Sequence, residues 1–461
     1  MLKRILILLT IAALAVATPF VLPRLHAQVG LLPTAQTATS PAAELRLACP
    51  GGLYQTGGTS GTSLSKIVHA GAAKIYAIGT SPKKVKTSKF EIITKRQDSA
   101  GSVQDSNWMT AMQLQLSATD TLGGLAATSC LQARTDSTLI GGDTTTGHET
   151  LLTVVNPGKV DSSVRVIAYG SAGRLGGQDL TDLAVSASTA QVISLNGLIP
   201  DAPTFSIRVI ANGPGVAAFL QQRTVHGTKA AGLDWIQAAP SDSVSSAVIP
   251  GVLVRGAAAA AALKKQSRAY SDIQMVLRVN NRGSKPTKFT AQIFGEGATP
   301  FGTVLQGSVA GQSTVDVPIS GLKDGDYSAQ LTSDVPVTAS VLLFRVHGTS
   351  APVVDYSWLQ QVPAISTGSI AVASSGISKI SFVNPAATSA EVSVRFGATT
   401  KTLKIAPGAQ STVQIDQGTR VSFEASVPVA ASMVIDVDGT LAVVPLINQG
   451  NRSVTTSVTV R

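Results

Sequence analysis

Beyond Leu151 the chain runs in short stretches where apolar and polar residues alternate. In Ser163-Val164-Arg165-Val166-Ile167-Ala168-Tyr169, the residues Val164, Val166 and Ala168 share one face. That period of two belongs to a strand with one buried side. Turn residues divide such stretches about every 8–12 positions, the spacing of a β-sandwich. Residues 151–254 hold the runs Leu151–Asn156, Ser163–Tyr169, Ala190–Leu195, Thr204–Ala211, Val216–Arg223, Gly232–Gln237 and Ala247–Val254. Similar runs follow from Gln274 to Gln360 and from Ile380 to Leu446.

The runs repeat in a fixed order. Val225-His226-Gly227-Thr228 recurs as Val346-His347-Gly348-Thr349 and weakly as Val437-Asp438-Gly439-Thr440. An Asp lies 8 positions after each His, at Asp234 and Asp355. A second landmark opens each unit: Val155-Asn156-Pro157-Gly158, Val279-Asn280-Asn281-Arg282-Gly283 and Val383-Asn384-Pro385. A third comes late: Gly213-Pro214-Gly215-Val216, Val335-Pro336-Val337 and Val427-Pro428-Val429. Landmarks kept in order mark duplicated modules. Asn tolerates turn geometry and Pro removes a ladder donor, so these landmarks read as structural.

The expected organisation is therefore all-β, with tandem Ig-like sandwiches. A Cys-bearing module spans 44–145, and sandwiches follow at 146–255, 256–368 and 369–461. Gly256 to Lys265 is Ala-rich, and reads either as a short helix or as an elbow at the start of the third unit.

At the N-terminus Lys3 and Arg4 precede an apolar run from Ile5 to Leu22. It reads as an export signal or a single-pass anchor, residues 1–23, with the basic end left inside. Residues 24–43, rich in Thr, Ala and Pro, read as a tether. An extracytoplasmic address gives meaning to Cys49 and Cys130, whose even number suggests a disulfide, with two buried thiols as the alternative.

Composition changes the picture in one respect. Charged residues make up 13% of the chain, yet the net charge is +10. That balance suits an anionic wall polymer or lipid headgroup. The basic residues are scattered and accompany no nucleic-acid-binding signature, so nucleic acid is not expected. The cluster Lys83-Lys84-Val85-Lys86 with Lys89, Lys95 and Arg96 reads as a strand edge.

No nucleophile elbow, phosphate loop, metalloprotease helix or dinucleotide fingerprint is present, and neither enzyme, cofactor nor metal site is expected. His226 with Asp234, and His347 with Asp355, are either polar knots at strand turns or a polar ligand surface in each of two modules. Trp235 and Trp358 fall at matching places; they either plug module cores or offer sugar-stacking platforms.

The apolar N-terminus, the short tether, the Cys-bearing first module and the matching Val155-Asn156-Pro157, Val383-Asn384-Pro385, Val335-Pro336-Val337 and Val427-Pro428-Val429 resemble an uncharacterised family of actinobacterial envelope proteins. The resemblance implies an address and no catalytic residues. The expected role is a non-enzymatic envelope scaffold or interaction protein. The alternative is a protein that binds glycan or wall polymer, with an envelope enzyme third. The expected partner is an envelope protein or an anionic wall polymer, and the membrane is met through residues 5–22 if the segment is retained.

Overall fold

In the second module the alternating runs close into two facing sheets. One sheet orders the strands Asp136–Ile140, Phe205–Asn212, Ser162–Gly170 and Gly173–Val185; the other orders Thr189–Ser194, His148–Asn156, Ala217–His226 and Lys229–Gln237. Leu139, Val164, Val166, Ile207 and Val209 of the first share a buried cluster with Leu152, Val154, Ala218 and Leu220 of the second. Burying each Val or Leu side chain contributes about 1.5–3 kcal/mol, which fixes the register of both sheets. This computed structural model describes residues 36–40, 44–56, 67–79, 83–86, 90–96, 109–296, 302–373, 376–416, 418, 420–447 and 454–458.

The third and fourth modules repeat the plan, with one long strand shared between their sheets. In Gly325–His347 the first half pairs with Val244–Val254 and Thr287–Gly295, and the second half with Val276–Asn281 and Val353–Gln360. In Arg420–Val437 the first half pairs with Ile365–Ala371 and Ala390–Phe396, and the second half with Ile377–Val383 and Thr440–Pro445. Pro336 and Pro428 sit where the strand leaves one sheet for the other. A missing N–H costs nothing at that crossing, because the ladder is already interrupted there. In the second module Gly213-Pro214-Gly215 breaks the strand outright into Phe205–Asn212 and Ala217–His226.

The Asn landmark has one geometry in all three modules. Asn156 Oδ1 accepts from Gly158 N at 2.9 Å, and its Nδ2 donates to Val160 O at 2.8 Å. Asn281 does the same with Gly283 N and Lys285 O, and Asn384 with Ala386 N and Thr388 O. Arg282 thus holds the place that Pro takes in the other two copies, and Asn281 ends the strand.

Strand pairing moves the module boundaries expected from sequence. Asp136–Ile140, placed in 44–145, pairs with Phe205–Asn212 of the second module. Val244–Val254, placed in 146–255, pairs with the third module's long strand. Ile365–Ala371, begun within 256–368, pairs in the fourth. Each is the first strand of its module and precedes the Asn landmark, so the repeat read from that landmark missed it. Ile249 and Leu253 are buried with Phe289, Ile293 and Leu331, which holds Val244–Val254 in its place. The Ala-rich segment is a helix, Ala257–Gln266, inside the third module, and Asp324 caps it by accepting from Gly256 N and Ala257 N.

The first module carries the strands Glu44–Cys49, Glu91–Arg96 and Lys83–Lys86 in one sheet and Lys74–Gly79, Met109–Ala118 and Gly123–Ser129 in another. Lys83–Lys86 is an edge strand, as its charge pattern predicts. Cys49 and Cys130 are bonded as a disulfide.

The chain divides into two units: residues 44–450, and residues 1–43 with 451–461. In the second of these Gln36–Ser40, expected to be tether, pairs antiparallel with Val454–Val458. The export or anchor segment, 1–23, lies outside the described residues. Among the described residues no helix is long and apolar enough to cross a membrane.

Within residues 44–450 the last strand of each module turns inward. Gly123–Ser129 packs on Lys229–Gln237, which packs on Val353–Gln360, then on Thr440–Pro445, which returns to Gly123–Ser129. The four modules are therefore joined around a ring of four inner strands.

Candidate functional site

The ring is held by two aspartates at matching repeat positions. Asp355 accepts three amide N–H groups from the three other inner strands: Leu125 at 2.9 Å, Leu233 at 3.0 Å and Leu441 at 3.0 Å. Asp234 accepts from Trp358 N at 2.7 Å and from the Ser357 hydroxyl. Ser357 Oγ in turn accepts from Val443 N at 3.2 Å. Both carboxyls have no solvent exposure. Burial pushes the Asp355 carboxyl up to about 7, against the amide donors that pull it down. Burial pushes Asp234 up as well, opposed by the Trp358 amide. A carboxylate so placed meets no substrate; it satisfies backbone donors that strands crossing at an angle cannot satisfy among themselves.

Two glycines make room. Gly124 has φ +142°, and a Cβ there would lie 2.5 Å from Asp355 Oδ1 and 2.8 Å from Leu233 N. Gly232 has φ +130°, and its Cβ would lie 2.2 Å from the Tyr356 ring.

Trp235 and Trp358 are 2% and 3% exposed, which rules them out as an open sugar platform and places them in the core. Trp235 packs edge-on to Phe219. Trp358 Nε1 donates to Gln222 Oε1 at 2.8 Å, and the Arg278 guanidinium lies 4.4 Å above its ring.

The histidines do not pair with the aspartates that follow them. His226 Nε2 lies 2.8 Å from Asp272 of the third module, and its ring meets Tyr270 edge-on. His347 is exposed and packs over Gly439 of the fourth module, where a Cβ would lie 2.8 Å from the His347 Cβ. Each hairpin tip thus touches the next module. The structure brings Asp234, Asp355 and Trp358 together, with the Trp235 amide also on the Asp234 carboxyl, and leaves the His226 and His347 side chains bonded or packed elsewhere.

Between the second and third modules lies a cavity of about 180 Å³. Arg278, 2% exposed, forms one side. It is bidentate to Asp316 at 2.7 Å and donates to the carbonyls of Gly142, Phe205 and Pro203. Asp143, His148 and Asp272 stand at the rim, with His148 Nε2 at 3.7 Å from a carboxylate oxygen of each. Sequence reading missed this group because its members come from separate modules with no shared spacing. Among the described residues no group of three or more His, Cys, Asp or Glu is set to hold a metal.

Three solved structures share some likeness. Thermotoga maritima 1070 is 15% identical, with 26% of this chain and 95% of that one covered and a TM-score of 0.20. An anti-sigma factor domain-containing protein is 12% identical over 81% and 95% of the two chains, with a TM-score of 0.14. The GH78 family rhamnosidase of Bacillus sp. GL1 is 9% identical over 69% and 55%, with a TM-score of 0.13. These likenesses are too distant to say what this chain does. No curated protein matches it. A family model does match, over residues 82–426: the chain belongs to the DUF5719 family, a family of unknown function.

Proposed function

We propose that the chain is a non-enzymatic scaffold of the cell envelope, working outside the cytoplasmic membrane by holding surfaces of four joined modules in fixed relation. The observation that carries this reading is the Asp355 junction, where one buried carboxylate takes amides from three other modules. Independent beads on a string would have no need of it. The export-like segment at residues 5–22 and the Cys49–Cys130 disulfide support an oxidising, extracytoplasmic address, of the kind found in actinobacterial envelope proteins. The net charge of +10 favours an anionic wall polymer or an acidic protein as partner. Burial of both Trp rings removes the surface that first suggested sugar stacking, so charge is the basis of the wall-polymer reading.

Co-sedimentation of the purified chain with isolated cell walls, before and after protease treatment of the walls, tests the proposal. Binding that is lost with protease supports a protein partner. Binding that survives protease and weakens with salt supports an anionic polymer. Failure to bind walls in either state, or turnover of envelope glycans by the chain, contradicts the scaffold reading.

A further inference from the structure

We propose that the cavity between the second and third modules binds a small organic ammonium ion that also carries a hydroxyl or carbonyl oxygen. The charge of the site argues first. In a chain with net charge +10, this cavity gathers the carboxylates of Asp143, Asp272 and Asp316 against one guanidinium, Arg278, and the imidazole of His148. Asp316 already neutralises Arg278 by a bidentate pair. Asp143 and Asp272, with side chains 20% and 29% exposed, stand at the rim, where Asp272 also meets His226 Nε2 at 2.8 Å and each lies 3.7 Å from His148 Nε2. Asp143 Oδ1 accepts from Thr145, whereas Oδ2 has only His148 at 3.7 Å.

Anions are excluded by the donors. All five guanidinium N–H groups of Arg278 are committed: Nε and one Nη2 hydrogen to Asp316, the other to Pro203 O, and the two of Nη1 to Gly142 O and Phe205 O. An incoming carboxylate or phosphate would meet three carboxylates and no free guanidinium donor.

The walls argue second. Phe344 and Tyr356 line the cavity with ring centroids 6.0 Å apart, beside Leu342 and Val276. Aromatic rings next to carboxylates are a setting that attracts an organic cation more than a hydrated metal ion.

Gln222 argues third and independently. It is 3% exposed and lines the cavity. Its Oε1 is taken by Trp358 Nε1, and its amide nitrogen has no partner among the described residues. That nitrogen offers a free donor to the cavity, and an oxygen on the ligand would take it.

Four four-carbon probes separate these terms: 4-amino-1-butanol, n-butylamine, 1,4-butanediol and 4-hydroxybutyrate, titrated near neutral pH by calorimetry or ligand-observed NMR against the full chain. The expected order places aminobutanol first and butylamine second, with the diol and the acid weakest. Asp143→Asn and Asp272→Asn, each checked for an unchanged unfolding midpoint, should each weaken aminobutanol about tenfold, the equivalent of about 1.4 kcal/mol. Asp334→Asn, an exposed carboxylate elsewhere in the third module, should leave it unchanged. Gln222→Leu should bring aminobutanol and butylamine to equal affinity. Preference for the diol or the acid, indifference to the rim substitutions, or no binding by any probe would overturn the proposal.

Discussion

Asp355 accepts the amide N–H of Leu233 at 3.0 Å while Asp234, the next residue along that strand, accepts the amide of Trp358 at 2.7 Å. Each aspartate thus holds the other's strand, and the two occupy equivalent places in consecutive repeats. The duplicated Asp is a brace between modules, and Asp355 extends that brace to the first and fourth modules through Leu125 and Leu441.

Removing the brace should be severe. Asp355→Ala leaves three buried amide donors unpaired, each costing about 1–3 kcal/mol. A loss of at least about 3 kcal/mol at pH 5 is expected by urea unfolding. A loss below about 1 kcal/mol would mean that the junction contributes little to holding the modules together.

The same carboxyl sets a pH dependence. Its folded-state value is raised from 3.8 to about 7 by burial, so the folded protein holds the proton more tightly than the unfolded chain. Stability from this group is full below about pH 4 and is lost as pH rises through about 7, a change of about 4 kcal/mol. Asp234 is displaced in the same direction. Urea unfolding at pH 5 and pH 8 should find the protein weaker at pH 8. Asp355→Asn should shrink that difference; an unchanged slope would assign it to other groups.

Gly124 and Gly227 both have positive φ, but only Gly124 faces a crowded space. Gly227→Ala should cost about 1 kcal/mol for the backbone alone. Gly124→Ala must in addition displace Asp355 and Leu233, and should cost more than twice as much by thermal or urea unfolding. Equal costs would mean that the ring can open at Gly124 without penalty.

The Asn landmarks give a test of modularity. Asn156, Asn281 and Asn384 make equivalent bonds in separate modules and share no partner. Each substitution to Ala should cost about 1–3 kcal/mol. Pairs should add within about 0.5 kcal/mol. Losses that fail to add would show the three turns to be coupled.

What could be read from sequence was what repeats. Strand alternation, the Asn turn and the Pro at the sheet crossing each have a local cause, so Asn156, Pro336 and Pro428 announced the sandwiches directly. The pairing of Asp136–Ile140 and Val244–Val254 was hidden, because a first strand with no landmark of its own belongs to whichever partner buries it. The sites were less legible still. Trp358 and Asp355 looked like surface candidates because spacing shows repetition but not depth. Arg278, Asp143 and Asp272 meet only after two modules fold together, and no spacing encodes that meeting.

The central claim is that four modules act as one body through Asp355. Native-state hydrogen exchange of the Leu125, Leu233 and Leu441 amides tests it most directly. The three should exchange together, at the free energy of global unfolding, and all should accelerate in Asp355→Ala. Three different rates, each matching the opening of a separate module, would contradict the claim.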